Sequence, residues 1–308
     1  MISSRNSNKK SNLAPKIIAV IGPTASGKSG LGIFLAQKLK GEVISADSRQ
    51  VYKGMDTGTG KVSKREQKLI PHHLLDVADP KRYFSASRFK KLAEKAIKEI
   101  LKKGGVPVIV GGTGFYIDTL VGKFSLPEVK PNKKLRSHLE KFNTDHLFKV
   151  LKKLDPDRAA AIDKNNKPRL VRALEIVLIT GKPVPKLDPT SHYQVLWLGV
   201  NSKDLGKRIK QRLEKRLKQG MIQEVKKLRC QGVSFKRLEK FGLEYYWVAR
   251  YLQNKITLEK MKKELLQDIF QYSKRQMTWF KKNHDIHWIQ NQNQALKLAR
   301  KFADTNGV

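Results

Sequence analysis

Gly22-Pro23-Thr24-Ala25-Ser26-Gly27-Lys28-Ser29 reads G-x-x-x-x-G-K-S, the pattern of a phosphate-binding loop. The run Lys16-Ile17-Ile18-Ala19-Val20-Ile21 just before it has the unbroken apolar character of a buried parallel strand. After it, Leu31, Leu35 and Leu39 recur at helical spacing with Ala36 beside them. Strand, loop and helix are the setting such a loop requires. The glycines let the backbone curl with its N–H groups turned inward, and the helix N-terminus adds partial positive charge. Lys28 offers a point charge for phosphate oxygens, and Ser29 a hydroxyl for Mg²⁺. All eight residues are candidate diphosphate ligands. The pattern specifies a polyphosphate without saying which one, or which bond is broken.

Further along, Glu42-Val43-Ile44-Ser45-Ala46 reads as a second strand that ends in Asp47-Ser48-Arg49-Gln50. Met55-Asp56-Thr57-Gly58-Thr59-Gly60 is a loop by its glycines. Phe89 to Leu101 has helical periodicity and is closed by Gly104-Gly105. Val106-Pro107-Val108-Ile109-Val110 reads as a third buried strand, running into Gly111-Gly112-Thr113-Gly114. Two strand–glycine loop–helix units in one sheet indicate an α/β fold, a doubly wound parallel sheet with ligands beyond the strand carboxyl ends. From 124 to 190 the texture changes to charged, Pro-punctuated helical sequence, the mark of a helical insertion domain. The core domain is then 16–123 plus 191–308, with 1–15 a disordered basic tail. Gln194 to Val200 returns to strand pattern. A single long helix is expected from Asp204 to Arg229, with Leu205, Ile209, Leu213, Leu217, Met221, Val225 and Leu228 on one stripe. Arg208, Arg212 and Arg216 form a second stripe, of which at least one member is expected on a solvated face. A final helix is expected from Thr257 to Asn283, then a short strand at His287-Trp288-Ile289.

The balance of 64 Lys+Arg against 27 Asp+Glu gives a formal net charge of +37 over 308 residues. That excess suits a protein that grips a polyanion, because each neutralised backbone phosphate releases counterions. The lone cysteine, Cys230, excludes a disulfide framework and a cysteine-based zinc finger. No apolar run approaches membrane-spanning length, and the first 15 residues lack the apolar core of a signal peptide.

Asp47 follows directly on the second strand, near the phosphate loop in a doubly wound sheet. A carboxylate there has three open roles: Mg²⁺ ligand, general base toward an acceptor, or helix cap. Thr24 and Thr113 offer hydroxyls to a phosphate or to a turn. The adjacent His72 and His73 are poorly spaced for two ligands on one helix face, which favours structural roles. Trp279 lies four residues after Arg275, suited either to stacking on an unpaired base or to the core.

Together these stretches resemble the tRNA dimethylallyltransferases, or tRNA isopentenyltransferases. The match is carried by Gly22–Ser29, by ISADSRQVYKGMDTGTGK at 44–61 and by PHHLLD at 71–76. VGGTGFYI at 110–117, RLVRALEI at 169–176 and KRQMTWF at 274–280 complete it, in the family's order over nearly the whole chain after residue 16. The resemblance implies transfer of a dimethylallyl group from dimethylallyl diphosphate to N6 of the adenine just 3′ of the anticodon, in tRNAs reading codons that begin with U. It implies that the loop holds the donor's diphosphate, with Mg²⁺, rather than ATP. By residue, it implies Asp47 as the base, Thr24 as hydrogen-bond donor to the leaving group and Arg212 as its charge partner. Contacts to tRNA are implied for Asp47, Ser48, Arg49, Gln50, Thr113, Arg136, Pro168, Arg169, Leu170, Val171, Arg172, Lys274, Arg275, Gln276, Trp279 and Lys281. A cytoplasmic monomer that meets the anticodon stem-loop and no membrane is the corresponding expectation.

The chain departs from the family pattern at Gly242-Leu243-Glu244, where G-Y-[KR] is usual, and at Phe270-Gln271-Tyr272, where an arginine is common. Arg216 stands where a methionine is common. Three alternatives share some of these features: a P-loop kinase of a small molecule or nucleotide, a non-catalytic RNA-binding protein, and prenyl transfer to a free adenine nucleotide. The charge and the helical insertion favour tRNA, and intact Thr24, Lys28, Ser29, Asp47 and Arg212 favour catalysis.

Overall fold

The computed structural model describes residues 14–123, 126–127, 129–185 and 191–304. Most of the expected tail at 1–15 lies outside them. The chain divides into two compact units, Met1–Gly122 with Ser191–Val308, and Lys123–Thr190.

In the first unit the order is β1 (Lys16–Ile21), α1 (Lys28–Lys38), β2 (Glu42–Ser45), α2 (Lys64–Leu69), β3 (His72–His73), α3 (Ala86–Lys102), β4 (Pro107–Gly111) and α4 (Gly114–Leu120). The second unit holds α5 (Lys133–Leu139), α6 (Thr144–Leu154), α7 (Pro156–Ala161) and α8 (Lys167–Thr180). The first unit then resumes with β5 (Gln194–Val200), α9 (Leu205–Lys218), α10 (Met221–Cys230), α11 (Phe235–Phe241), α12 (Leu243–Leu252), α13 (Leu258–Phe280), β6 (His287–Ile289) and α14 (Gln292–Asp304).

Among the described residues the sheet has six strands in the order β3-β2-β4-β1-β5-β6, every pair parallel. Alternation along β1 divides its side chains between two layers. Ile17, Ala19 and Ile21 pack with Phe89, Ala93 and Ile97 of α3 and with Ile117 and Leu120 of α4. Ile18 and Val20 pack with Leu31 and Leu35 of α1 and with Ala295 and Ala299 of α14. A strand buried on both faces carries no polar alternation, which is why β1 reads as a continuous apolar run. The expected third strand is the fourth in chain order. The pair His72-His73 forms an edge strand that the apolar pattern does not reveal, and His73 Nε2 lies 2.6 Å from Glu42 Oε2.

The expected single helix over 204–229 is two helices. Gly220 takes φ 91°, a left-handed conformation that ends α9 and starts α10. The stripe itself demands the break. At 3.6 residues per turn, a repeat of four drifts about 40° per step, so Leu205 and Met221 could not face one core on a straight helix. After the turn, Met221, Val225 and Leu228 join Ile209 and Leu213 in one cluster with Val51, Tyr52, Met55 and Tyr245.

The second unit has its own core, built on Leu147, Leu151, Leu170, Val171 and Leu174. Beside it lies Glu175, a fully buried carboxylate on α8. It accepts from Arg136 Nε at 2.8 Å, Arg136 Nη2 at 2.7 Å and the Asn132 backbone N–H at 2.7 Å, and also from Arg172 Nη1. Arg172 Nη2 donates in addition to Val129 O at 3.0 Å.

Candidate active site

The phosphate loop follows β1, and its shape is set by backbone that only small residues permit. Gly22 has φ 153°, and a Cβ there would lie 2.2 Å from Val200 O on β5. Gly27, at φ 103°, starts α1. Lys28 folds back across the loop, its Nζ donating to Pro23 O at 3.0 Å. Ser26 Oγ is buried without a hydrogen-bond partner. A buried polar atom left unsatisfied is costly, so an anion or its hydration shell would complete the loop.

Asp47 comes into the same region from the end of β2. Its Oδ1 accepts from Arg49 N at 2.8 Å and Gln50 N at 3.3 Å, which closes a turn; no helix begins here, so the helix-cap alternative is not the one realised. Thr113, after β4, pins the neighbouring backbone, its Oγ1 accepting from Ser48 N at 3.1 Å. Lys28, Ser29, Thr24, Asp47 and Arg212 all line one cavity of ≈ 780 Å³. This is the placement a doubly wound sheet imposes, since β1, β2 and β4 all deliver their loops at one edge.

A second wall is the loop 56–61. Glu224 gathers its backbone, accepting from Asp56 N at 2.9 Å, Thr57 N at 2.6 Å and Gly58 N at 3.1 Å, and from Tyr245 Oη at 2.7 Å. Sequence reasoning missed Glu224. Its only signal is a lone acid in a strongly basic stretch. The arginine stripe of α9 runs past these loops. A Cβ on Gly27 would lie 3.3 Å from Arg208 Nη2, and one on Gly60 would lie 3.0 Å from Arg212 Nη2 and 2.5 Å from Arg216 Nη2. All three arginines therefore turn toward the site loops; Arg212 is nonetheless exposed, the expected solvated member, while Arg208 is half-buried and Arg216 buried. Arg216 is buried, donating to Glu244 Oε1 at 2.7 Å and to Gly58 O at 3.1 Å.

This concentration of cations has consequences. Desolvation lowers the Lys28 pKa to about 8; Asp47 opposes the shift, and Arg212 and Arg216 add to it. Arg212 stands in the cavity, where desolvation by the surrounding wall, then Arg216 and Arg208, lowers it to about 10. Burial raises the Glu244 pKa, against the pull of Arg216. A site so rich in close cations is a standing demand for a polyanion.

The remaining expected contacts separate into two groups. Ser48, Arg49 and Gln50 line the cavity, while Lys274, Arg275 and Lys281 are exposed on or beside α13. Gln276 is buried on the same helix, and Trp279 packs against Gly114 with its Nε1 donating to Asp118 Oδ2 at 2.7 Å. The core reading of Trp279 is thus the one its surroundings support. In the second unit, Leu170 and Val171 are buried in the core, so their side chains do not face a nucleic acid. Pro168 and Arg169 sit in the first turn of α8, capped by Asn166, whose Oδ1 accepts from Arg169 N at 3.3 Å. Arg136 and Arg172 carry their guanidinium groups on Glu175, each about one-third exposed (36% and 32%).

The donor set suits Mg²⁺ in a particular way. Ser29 and Asp47 supply hard oxygens, but among the described residues no group of three or more His, Cys, Asp or Glu could cage a metal. Mg²⁺ is typically held by one or two protein oxygens plus substrate phosphates, and that arrangement fits these residues.

Comparison with known proteins gives a consistent picture. A family model described as IPP transferase matches residues 50–283. The tRNA dimethylallyltransferase 1 of Geotalea uraniireducens is 38% identical over 300 residues, covering 95% of this chain and 98% of that protein. The tRNA dimethylallyltransferase of Anoxybacillus flavithermus is 38% identical over 284 residues, covering 90% and 91%. Among solved structures, the full-length tRNA isopentenylpyrophosphate transferase of Bacillus halodurans superposes with a TM-score of 0.69 at 35% identity, covering 94% of this chain and 95% of that one. A eukaryotic dimethylallyltransferase caught acting on tRNA superposes with a TM-score of 0.78 at 30% identity, covering 94% of this chain and 77% of that one. With a parallel sheet, a phosphate loop and a carboxylate meeting in one cavity, and relatives matched along almost its full length, this chain belongs to the IPP transferase family.

Proposed function

We propose that this protein transfers a dimethylallyl group from dimethylallyl diphosphate to N6 of the adenine 3′-adjacent to the anticodon, in tRNAs reading codons that begin with U. One observation carries the reading: the Lys28 loop and Asp47 line a single cavity, so a diphosphate and a nucleobase amine can meet there. The C1–O bond of the allylic diphosphate breaks, and its electron pair leaves with the diphosphate. Lys28, Arg212 and the Thr24 hydroxyl meet the growing charge. The new bond joins N6 to C1. N6 is a weak nucleophile because its lone pair is delocalised into the ring, and Asp47 Oδ2 takes its proton as the bond forms. Ser29 would hold Mg²⁺, which when bound supplies further neutralisation of the leaving diphosphate.

The adenine must leave the anticodon-loop stack to reach the cavity. That extrusion costs a few kcal/mol, offset by contacts to the base and its neighbours. The exposed cations Lys274, Arg275 and Lys281 suit the tRNA backbone. A cytoplasmic monomer fits this role; among the described residues no helix is long and apolar enough to cross a membrane.

The test is incubation with labelled dimethylallyl diphosphate, Mg²⁺ and either unmodified tRNA or AMP, followed by digestion and identification of the modified nucleoside. Label in N6 of a tRNA adenosine is expected. Label in AMP alone would assign a free nucleotide as acceptor, and ATP turnover without label would assign a kinase.

A further inference from the structure

Gln276 lies on the buried face of α13, only 6% exposed, between cations that point outward. Its side-chain Oε1 accepts the backbone N–H of Thr24 at 2.8 Å, and its Nε2 donates to Gly112 O at 2.8 Å. Thr24 belongs to the phosphate loop after β1, and Gly112 to the loop after β4. The next residue, Thr113, holds Ser48 N beside Asp47. One carboxamide therefore joins the loop that would grip the donor to the loops that flank the base.

The chemistry of this link is narrow. A carboxamide carries a donor and an acceptor side by side on one planar, uncharged end. Glutamate would keep the acceptor for Thr24 and lose the donor for Gly112; methionine would fill the volume and lose both. The site is also built around the group. A Cβ on Gly112 would lie 2.2 Å from Gln276 Nε2, so the glycine makes the space that the amide occupies. The bond to Thr24 N fixes the orientation of that peptide plane, and with it the place of the Thr24 backbone in the phosphate loop.

We infer that Gln276 is a positioning residue of the donor site, acting through Thr24 and Gly112, rather than a contact to tRNA. The inference rests on the function proposed above and assigns a role within it. The helix that carries Lys274 and Arg275 outward thereby also carries the brace of the phosphate loop.

The test uses the full chain with Gln276→Met and Gln276→Glu, each checked for folding by thermal unfolding. Calorimetry with inorganic diphosphate and Mg²⁺ reads the donor site, and filter binding with unmodified tRNA reads the acceptor site. Loss of the paired hydrogen bonds should weaken diphosphate binding about tenfold and raise the KM for dimethylallyl diphosphate to match. Affinity for tRNA should change by less than about twofold, since no charge–phosphate contact is removed. Should Gln276→Met fail to fold, Gln276→Leu, equally uncharged and lacking both hydrogen bonds, gives the same reading; Gln276→Glu, which keeps the bond to Thr24 but adds a charge beside the phosphate loop, is read only against the uncharged variant. A folded variant with unchanged diphosphate affinity, or one whose loss falls on tRNA instead, overturns the inference. Wild-type protein that binds no diphosphate would sink the functional reading and this inference with it, an outcome distinct from a variant that behaves as wild type.

Discussion

Arg216 Nη1 stands 2.7 Å from Glu244 Oε1, with both side chains buried. These are two of the positions at which the chain departs from its family's pattern, an acid where a cation is usual and an arginine where a methionine is common. On the sequence they are 28 residues apart and look unrelated. In the fold they face each other across α9 and α12, so the introduced acid and the introduced arginine satisfy one another. The arginine also holds Gly58 O, which ties the pair to the loop lining the cavity.

Breaking one half of that pair should cost far more than removing both. Glu244→Ala leaves a buried guanidinium uncompensated and should destabilise the protein by about 3–5 kcal/mol in urea unfolding. The double variant Arg216→Met with Glu244→Ala should recover more than half of that loss. Additive losses in the double-mutant cycle would show that the two residues do not depend on each other.

Lys28 supports a prediction about pH. With its pKa lowered to about 8, chiefly by desolvation, the ammonium is charged below that value and neutral above it. Diphosphate binding needs the charged form, so the Lys28 contribution should fade as pH rises from about 7 to 9. Diphosphate changes its own charge over this range, so the ratio of wild-type affinity to that of Lys28→Arg isolates the lysine. That ratio should fall with rising pH in calorimetric titrations. A flat ratio would mean that Lys28 keeps its proton throughout.

The phosphate loop, β1, β2, β4 and β5 are legible in the sequence because their signals are local: a fixed glycine spacing and unbroken apolar runs. Asp47 is legible as a site residue for the same reason, since it directly follows a strand. What the sequence conceals is set by distant partners. Glu224 is indistinguishable from any surface acid until the backbone of residues 56–58 is seen around its carboxylate. Gln276 sits among exposed cations in sequence, and only the fold turns it inward. Leu170 and Val171 sit beside arginines and take the opposite side of α8, which helical periodicity could have separated. The helices α11, α12 and α14 are short or bounded by weak signals, and α12 begins at a glycine with no side-chain cap.

Asp47 has two duties that different substitutions separate. Asp47→Asn keeps an oxygen for the N–H groups of Arg49 and Gln50 while removing the base. It should lower kcat by about 10²–10⁴ with tRNA affinity near wild type. Asp47→Ala removes the turn hydrogen bonds as well and should lose stability in addition to turnover, by about 1 kcal/mol. Single-turnover kinetics with bound tRNA measure the first effect, and urea unfolding the second. Wild-type turnover in Asp47→Asn would remove Asp47 from the proton transfer.

Glu175 gives the second unit a pH dependence of predictable sign. Burial alone would raise its pKa, but the hydrogen bonds from Arg136, Arg172 and Asn132 N outweigh burial and hold it near 2, against an ordinary value of 4.5. A folded-state pKa below the unfolded one stabilises the fold at pH above about 4.5, and the contribution is lost as pH falls toward 2. Other carboxylates titrate in the same window, so the informative quantity is a difference. Glu175→Gln cannot ionise, and at neutral pH it leaves two guanidinium groups facing a neutral amide. Its thermal midpoint should lie well below wild type at pH 6, and the gap should narrow steadily from pH 4.5 downward. Because Arg136 and Arg172 would lose their anchor, tRNA affinity at neutral pH should also fall, with diphosphate affinity unchanged. A gap that stays constant from pH 6 to pH 3 would mean that the carboxylate's charge is not what holds the two arginines.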